Sequence, residues 1–125
     1  MAKHDFVVKK IAKFHKDLGD IVYAHAAGLK GYPRPPTYCG ARGASYIPDV
    51  YLLNKDIIYE VESYSSVRNQ VSQIKAFSDS RPRRLIVAIS TGTEKGVPRI
   101  EKFLASKGIR CRVLNYKELE CWGDG

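Results

Sequence analysis

The sequence is poor in the features that mark disulfide-rich, zinc-binding and membrane-spanning proteins. Its three cysteines, Cys39, Cys111 and Cys121, are odd in number and form no CxxC pair, so neither a disulfide framework nor a zinc knuckle is indicated. We expect buried or idle thiols. No apolar run approaches the roughly 18 residues of a membrane span, and the basic N-terminus lacks a small-residue cleavage site. We therefore expect a cytoplasmic protein without a membrane partner.

What is present is typical of an ordinary globular domain. The 125 residues are 44% hydrophobic and 27% charged, enough to bury a core without disulfides or a structural metal. No internal repeat or second domain is visible in the pattern. We expect a single domain over residues 1–125.

Charge is distributed unevenly along the chain. The net charge is +8, which favours polyanionic partners through phosphate neutralisation. Residues 1–47 carry eight Lys and Arg against three Asp, and residues 64–125 carry twelve against six acidic residues. Between them, residues 48–63 hold four acidic residues and one lysine. An acidic island in a basic protein indicates a functional cause.

Hydrophobic periodicity predicts an α/β fold with the element order αβββαβαβ, a mixed five-stranded sheet flanked by helices. Apolar residues from Val7 to Leu18 recur at helical spacing, whereas the continuous apolar run 85–90 is typical of a central strand. The predicted helices cover residues 4–18, 65 or 66 to 80, and 98 to about 107; the predicted strands cover 20–26, 47–53, 56–62, 85–90 and 109–114. The tail 115–125 can add one more helical turn.

Two strands around a tight turn carry the acidic residues. Because side chains alternate along a strand, Glu60 and Glu62 share one face, and Asp49 joins them if the hairpin loop holds two or four residues. Clustered carboxylates repel each other unless they are solvated, protonated or neutralised by a cation. Oxygen ligands suit Mg²⁺ or Mn²⁺, so we predict that Asp49, Glu60 and Glu62 bind such a metal. The alternative is the solvated outer face of an edge hairpin.

The segment Pro48-Asp49, ten further residues and then Glu60-Val61-Glu62 resembles the motif of the PD-(D/E)XK nuclease superfamily. That resemblance implies a restriction-endonuclease-like fold, with Asp49 and Glu60 as metal ligands. Gln73, followed four residues later by an aromatic residue, is similar to an element that some members carry on the next helix. It implies that Gln70 and Gln73 face the site or the DNA.

Two departures from the superfamily pattern concern catalysis. Glu62 stands where the pattern has lysine, as in the Glu-x-Glu variant of some restriction endonucleases. Either Glu62 binds metal or accepts a proton, or Lys75 or Arg68 supplies the missing cation, or the site is inactive. Many members also have a glutamate on the first helix, but residues 1–59 contain none, so Asp5 would have to replace it.

The function expected from these features is a metal-dependent DNA endonuclease that uses Mg²⁺ or Mn²⁺, with RNA not excluded as a substrate. A homodimer is expected if both strands are cut. Candidate nucleic-acid contacts are Arg68, Gln70 and Gln73 and, in the long Gly/Pro/Tyr-rich loop 28–46, Lys30, Arg34 and Arg42. The alternatives are a nuclease similar to the archaeal Holliday junction resolvases and a catalytically silent nucleic-acid-binding domain. His4, His15 and His25 lack metal-ligand spacing, and of these only His25 is expected near the site.

Overall fold

A five-stranded mixed sheet with helices on both faces forms the centre of the structure, a computed structural model that describes residues 3–91 and 94–119. The predicted mixed sheet with flanking helices is confirmed. The helices are α1 (Lys3–Asp17), α2 (Val71–Asp79) and α3 (Val97–Ser106); the strands are β1 (Val22–Ala24), β2 (Tyr38–Cys39), β3 (Ser45–Tyr46), β4 (Val50–Leu52), β5 (Ile57–Glu62), β6 (Arg84–Ile89) and β7 (Arg112–Asn115).

The sheet has the strand order β1-β4-β5-β6-β7. The pairs β1/β4 and β4/β5 are antiparallel, whereas β5/β6 and β6/β7 are parallel. Helices α2 and α3 make the two parallel crossovers, and both crossovers step in the same direction across the sheet. Parallel crossover connections are right-handed, so two crossovers in the same direction place α2 and α3 on the same face of the sheet. The other face is left to α1.

Two apolar clusters lie on the two faces of the sheet. Val8 and Ile11 of α1 pack on the face that carries Tyr59 and Val61, whereas Phe77 of α2 packs on the face that carries Ile58. Alternation along β5 therefore places Glu60 and Glu62 on the α2 face, with Ile58. Every residue of β5 is buried, so both glutamates are covered by the fold.

The β4/β5 hairpin has the loop length that the metal-site prediction requires. Leu52 pairs with Ile57, so four residues form the loop, and Val50 pairs with Tyr59. One step further along this register Asp49 lies opposite Glu60. Opposed residues in an antiparallel pair point to the same face, and Asp49 therefore joins the two glutamates.

The segment 28–46, predicted as a long loop, contains a short antiparallel hairpin of β2 and β3. The rings of Tyr38 and Tyr46 lie edge-on to Phe77 of α2, with centroids 5.6 and 6.5 Å away. Earlier in the loop, Pro33 accepts a hydrogen bond from the backbone of Ala24 at 3.0 Å. The loop thus runs past edge strand β1 and reaches the α2 face. Along the chain, its strands β2 and β3 come between β1 and β4, which are neighbours in the main sheet.

Helix α1 ends one residue earlier than predicted, and its predicted inward residues Val7 and Ile11 are buried as expected. Leu18, expected to point inward, lies beyond the helix and is 53% exposed, whereas His15 is 1% exposed. The His15 ring bonds the carboxylate of Asp20 and the hydroxyl of Tyr59, both at 2.8 Å. Burial lowers the pKa of His15, so the neutral ring donates from Nδ1 to Asp20 and accepts from Tyr59 at Nε2. His15 therefore joins α1 to the sheet.

The C-terminal part agrees in part with the prediction. Helix α3 ends at Ser106, before Gly108, which has a φ of +76°. A 3-10 turn over Tyr116–Glu118 follows β7, and Leu119 is buried against the α1 face. The rest of the predicted tail turn, with Cys121, lies outside the described residues. No helix in the described ranges has the length and apolarity to cross a membrane.

Candidate metal and nucleic-acid site

Asp49, Glu60 and Glu62 come together where β4 begins and β5 ends, and we call them the carboxylate cluster. All three are buried, with relative exposures of 8%, 1% and 8%. A solvated outer face, the alternative weighed from the sequence, would leave them exposed. The cluster therefore consists of acidic groups that have lost most of their water, inside a chain of net charge +8.

Asp49 is held from two sides. Its Oδ2 accepts a hydrogen bond from the backbone N–H of Val61 at 2.8 Å and lies 3.2 Å from Nε2 of His4. Its backbone carbonyl accepts from the N–H of His25 at 3.0 Å. His25 thus contacts the cluster through its backbone, whereas its side chain is exposed. The carboxylate is fixed in orientation before any ligand binds.

Glu60 is the most buried member of the cluster. Its Oε2 accepts a hydrogen bond from the side-chain amide of Gln73, while its Oε1 is buried and has no hydrogen-bond partner among the described residues. Burial, and next the charge of Asp49, raise the pKa of Glu60 well above the usual range of a glutamate. A carboxyl group in this state needs a proton or a cation.

Glu62 lies at the C-terminal end of β5, and its side chain points toward the segment that follows the strand. Its Oε1 accepts a hydrogen bond from the hydroxyl of Ser66 at 2.7 Å. Burial raises the pKa of Glu62, the Ser66 hydrogen bond lowers it, and the charge of Asp49 raises it. Glu62 therefore combines a fixed oxygen with a carboxyl group that is easier to protonate than a solvated one.

His4, which the sequence did not single out, is the basic neighbour of the cluster. It lies in the first turn of α1, 3.0 Å from Asp5 through Nδ1 and 3.2 Å from Asp49 through Nε2. The hydrogen bond to Asp49 is the main cause that raises the pKa of His4 to about 9. The imidazolium supplies positive charge to Asp49, and Asp5, the expected substitute for a first-helix glutamate, reaches the site through it.

The donor set fits a hard divalent cation held by two carboxylates. Asp49 and Glu60 are the carboxylates that could supply oxygen ligands, and Oε1 of Glu60 is buried without a hydrogen-bond partner among the described residues. Within residues 3–91 and 94–119, no three His, Cys, Asp or Glu side chains form a group that could hold a metal ion. Mg²⁺ commonly uses one or two carboxylates together with water and substrate phosphate, so two carboxylates agree in number and type with this kind of site. Glu62 as a third ligand stays a prediction.

The predicted residues of the α2 segment separate into two groups. Gln73 touches Glu60, as described, whereas Gln70 is half-buried and ends the 3-10 turn Val67–Gln70 that precedes α2. Arg68 in the same turn is exposed, with its guanidinium 5.4 Å from the ring centroid of Phe103. It packs on α3 and makes no contact with the cluster within the described chain.

Lys75, predicted as a replacement for the missing lysine, points away from the cluster. Its ammonium donates to Asp79 at 2.7 Å, one turn further along α2, and lies 4.0 Å from the position that a Cβ on Gly108 would take. The reason is helical geometry: two residues beyond Gln73, the side chain is rotated by about 200° from it. The structure does not bring Lys75 to Glu60 or Glu62.

The three predicted basic contacts of the long loop are all on the surface. Lys30, Arg34 and Arg42 are exposed, and Arg42 lies in the tight turn between β2 and β3 with a φ of 59°. Tyr38 and Tyr46, by contrast, are half-buried and make edge-to-face contacts with Phe77. The loop therefore offers charge to a ligand, whereas these two tyrosines serve its folding.

Comparison with known proteins finds no family model, no curated protein and no solved structure that matches this chain. The chemistry of the site is accordingly inferred from its own residues.

Proposed function

We propose that this protein is a metal-dependent nuclease that hydrolyses phosphodiester bonds in DNA at the carboxylate cluster. The observation that carries the proposal is the buried pair of Asp49 and Glu60 with the unpartnered Oε1 of Glu60, set in a strongly basic chain. Burying carboxylates without a cation costs free energy, and the cation that relieves this cost is also the one that phosphodiester hydrolysis uses. The basic surface provides the attraction for the polyanion.

Each residue of the cluster has a distinct part in the proposed reaction. When bound, a divalent cation lowers the pKa of a coordinated water and polarises a phosphoryl oxygen. Asp49 and Glu60 hold this ion, and the Gln73 amide keeps Oε1 of Glu60 free by occupying Oε2. Ser66 fixes Oε1 of Glu62, and the other oxygen of this carboxylate is the group that accepts a proton in the proposed reaction.

The position of these residues supports a relation to the PD-(D/E)XK superfamily. In this sequence the Pro48-Asp49 segment and the Glu60-Val61-Glu62 segment lie on paired strands β4 and β5, followed by α2 and the parallel strand β6. This hairpin, helix and strand are the arrangement that the resemblance implies. We therefore propose a restriction-endonuclease-like fold for the chain, with the β2/β3 hairpin as an addition to it.

Cleavage assays test the proposal directly. Purified protein is incubated with plasmid, linear and four-way-junction DNA in the presence of Mg²⁺ or Mn²⁺. We expect metal-dependent cutting, and a loss of at least about a thousandfold in Asp49→Asn and Glu60→Gln, because the held metal contributes several kcal/mol to the transition state. Asp17→Asn, which changes an exposed carboxylate at the end of α1, is the matched control. Equal cutting by the site variants and the control would contradict the proposal.

Metal binding has a second readout that does not depend on activity. A ligand of the folded state raises its stability by about 2.7 kcal/mol at a hundred times its dissociation constant. Mn²⁺ should therefore raise the melting temperature of the wild-type protein and of Asp17→Asn, and leave that of Glu60→Gln unchanged. A similar rise in Glu60→Gln would place the metal elsewhere.

The substrate form and the oligomeric state are part of the same proposal. A four-way junction is the substrate expected if the resemblance to archaeal Holliday junction resolvases extends to function. One cluster per chain would require a two-fold dimer to cut two strands. Preference for the junction over linear DNA in the cleavage assay, and the mass of the protein in solution by light scattering, test these two points.

The second candidate function is a nucleic-acid-binding domain without catalysis. The observation that favours it is His4, whose imidazolium already supplies positive charge to Asp49. The presence of Glu62 where the superfamily pattern has lysine also favours a domain without catalysis. Salt-dependent binding to DNA without cutting in either metal would establish this alternative, and cutting would exclude it.

A further inference from the structure

At the opposite end of the sheet, where β6 and β7 begin, the side chains form a groove of about 1200 Å³ that we call the arginine groove. Among the described residues that line it, a single side chain is acidic, Asp79, which is paired with Lys75 at 2.7 Å. The groove is separate from the carboxylate cluster, because the register of β5 and β6 pairs Ile57 with Arg84 at this end and Glu62 with Ile89 at the other. Five arginines line it: Arg81, Arg83, Arg84, Arg110 and Arg112.

The scaffold of the groove is fixed by backbone contacts between distant segments. The N–H of Arg83 donates to the carboxylate of Asp56 at 3.1 Å, and the N–H of Arg110 donates to the hydroxyl of Ser78 at 3.0 Å. Arg83 and Arg110 therefore stand on anchored backbone while both residues are exposed. Concentrated like charge in a cleft attracts counter-ions, and here the attraction is for anions.

We propose that the arginine groove binds the phosphodiester backbone of nucleic acid at a point remote from the carboxylate cluster. Guanidinium groups recognise phosphate oxygens in a bidentate manner. No aromatic residue is among the described residues that line the groove, so the contacts we propose are with phosphates rather than stacked bases. Duplex DNA carries one charge per about 1.7 Å, whereas an acidic peptide carries at most one per about 3.3 Å. Over the same length, a nucleic acid therefore presents more negative charge to the arginines of the groove than an acidic peptide does.

The distance between the two regions gives the groove a role of its own. Five residue steps separate Ile57 from Glu62, about 17 Å along the strand. With a rise of about 3.4 Å per base pair, a duplex held in the groove spans about five base pairs before it reaches the level of the cluster. The groove anchors the polyanion there. This inference rests on nucleic acid being the partner of the proposed function, but not on cleavage.

Binding measured without metal tests the groove. Fluorescence anisotropy of a labelled DNA duplex in EDTA, over a series of salt concentrations, compares Arg83→Gln/Arg110→Gln with Lys9→Gln/Lys102→Gln. Both double variants remove two positive charges from exposed positions, and the control positions lie on α1 and α3. We expect the groove variant to bind at least about tenfold more weakly, with the slope of log K against log salt reduced by about two. The control should retain the wild-type slope.

A charge-preserving variant and a competing polyanion complete the design. Arg83→Lys/Arg110→Lys should recover most of the salt slope, because lysine keeps the charge and loses only the bidentate geometry. Equal effects in the groove variant and the control, no effect in the groove variant, or preference of the groove for polyglutamate over DNA would overturn the inference. If the protein cuts DNA but Arg83→Gln/Arg110→Gln binds DNA as tightly as the wild type, only the inference about the groove is overturned. If the groove substitutions weaken binding but the protein never cuts DNA, only the proposed cleavage is overturned.

Discussion

The two ends of the sheet carry opposite charges in different ways. At the end of β5, three carboxylates are buried, and burial raises the pKa of both glutamates. At the start of β6 and β7, the arginines stand around an open groove, and Arg83 and Arg110 are exposed. A buried charge is costly and has few competing partners, whereas an exposed charge costs little and acts over a longer range. The first arrangement suits chemistry at one atom, and the second suits attraction of a polymer.

The largest expected effect distinguishes the rate of DNA cleavage from the affinity for DNA. Asp49→Asn/Glu60→Gln should lose at least about a thousandfold in cleavage rate at saturating DNA while binding at least as tightly, because it removes negative charge and the metal ligands. Arg83→Gln/Arg110→Gln should keep the saturated rate and lose about tenfold in affinity. Single-turnover cleavage over a range of DNA concentrations measures both quantities. A loss of the saturated rate in the arginine variant would mean that the two regions act as one site.

The next effect is an increase in the free energy of unfolding, whereas most substitutions of buried residues lower it. Glu60→Gln should stabilise the protein by about 1–3 kcal/mol at neutral pH, because a neutral amide replaces a buried carboxyl group whose ionisation is unfavourable. Since the folded-state pKa of Glu60 is raised, its contribution to stability is full below the unfolded pKa and is lost as the pH rises through the folded pKa. Urea unfolding at acidic and neutral pH tests both points. Arg83→Gln, the exposed counterpart, should change stability by no more than about 0.5 kcal/mol.

A smaller effect concerns the pH range in which His4 supports the cluster. Its folded-state pKa is raised from 6.5 to about 9, so its contribution to stability is full below pH 6.5 and is lost as the pH rises through about 9. Thermal melting between neutral and alkaline pH should show a decrease that is reduced in His4→Asn. An unchanged decrease in that variant would show that the His4 contact with Asp49 contributes nothing. The Arg83→Gln protein should keep the wild-type profile.

The smallest effect is expected at Ser66. Ser66→Ala removes the hydrogen bond to Oε1 of Glu62 and should raise the pKa of that carboxyl further, because the bond lowers it. The loss of stability should be about 1 kcal/mol or less. An NMR titration of Glu62 measures the shift, with Ser66→Thr, which keeps the hydroxyl, as the control. A pKa that is equal in all three proteins would contradict the role of this bond.

Much of the carboxylate cluster could be predicted because it depends on local geometry. Alternation along β5 places Glu60 and Glu62 on one face, and the four-residue loop brings Asp49 to the same face, as the hairpin argument required. The core helices followed from their hydrophobic period, since each has one buried side, and the central strand followed from its continuous apolar run, since both of its sides are buried. Their ends were less predictable: α1 ends at Asp17, and Leu18 is exposed, because His15 takes a buried position through its bonds to Asp20 and Tyr59.

The partners of the cluster could not be predicted in the same way. His4 is separated from Asp49 by 45 residues, and nothing in the spacing of the histidines shows that the first turn of α1 reaches the end of β5. The arginine groove likewise joins residues 81–84 to residues 110–112, which come together only through the crossover α3. Lys75, one of the predicted replacements for the missing lysine, does not reach the cluster for a similar reason. The placement of α2 on the sheet sets where its side chain points.

The sequence by itself determined the mixed α/β architecture, the acidic hairpin and the common face of Glu60 and Glu62, because strand alternation and hydrophobic period act over a few residues. It left the face of Asp49 open, and the four-residue loop of the structure decided it. Only the tertiary structure decided that these carboxylates are buried, that His4 and Gln73 are their neighbours, and that five arginines share a groove at the other end of the sheet. Burial and contacts between distant segments depend on how the helices pack on the sheet, and local spacing does not specify that packing.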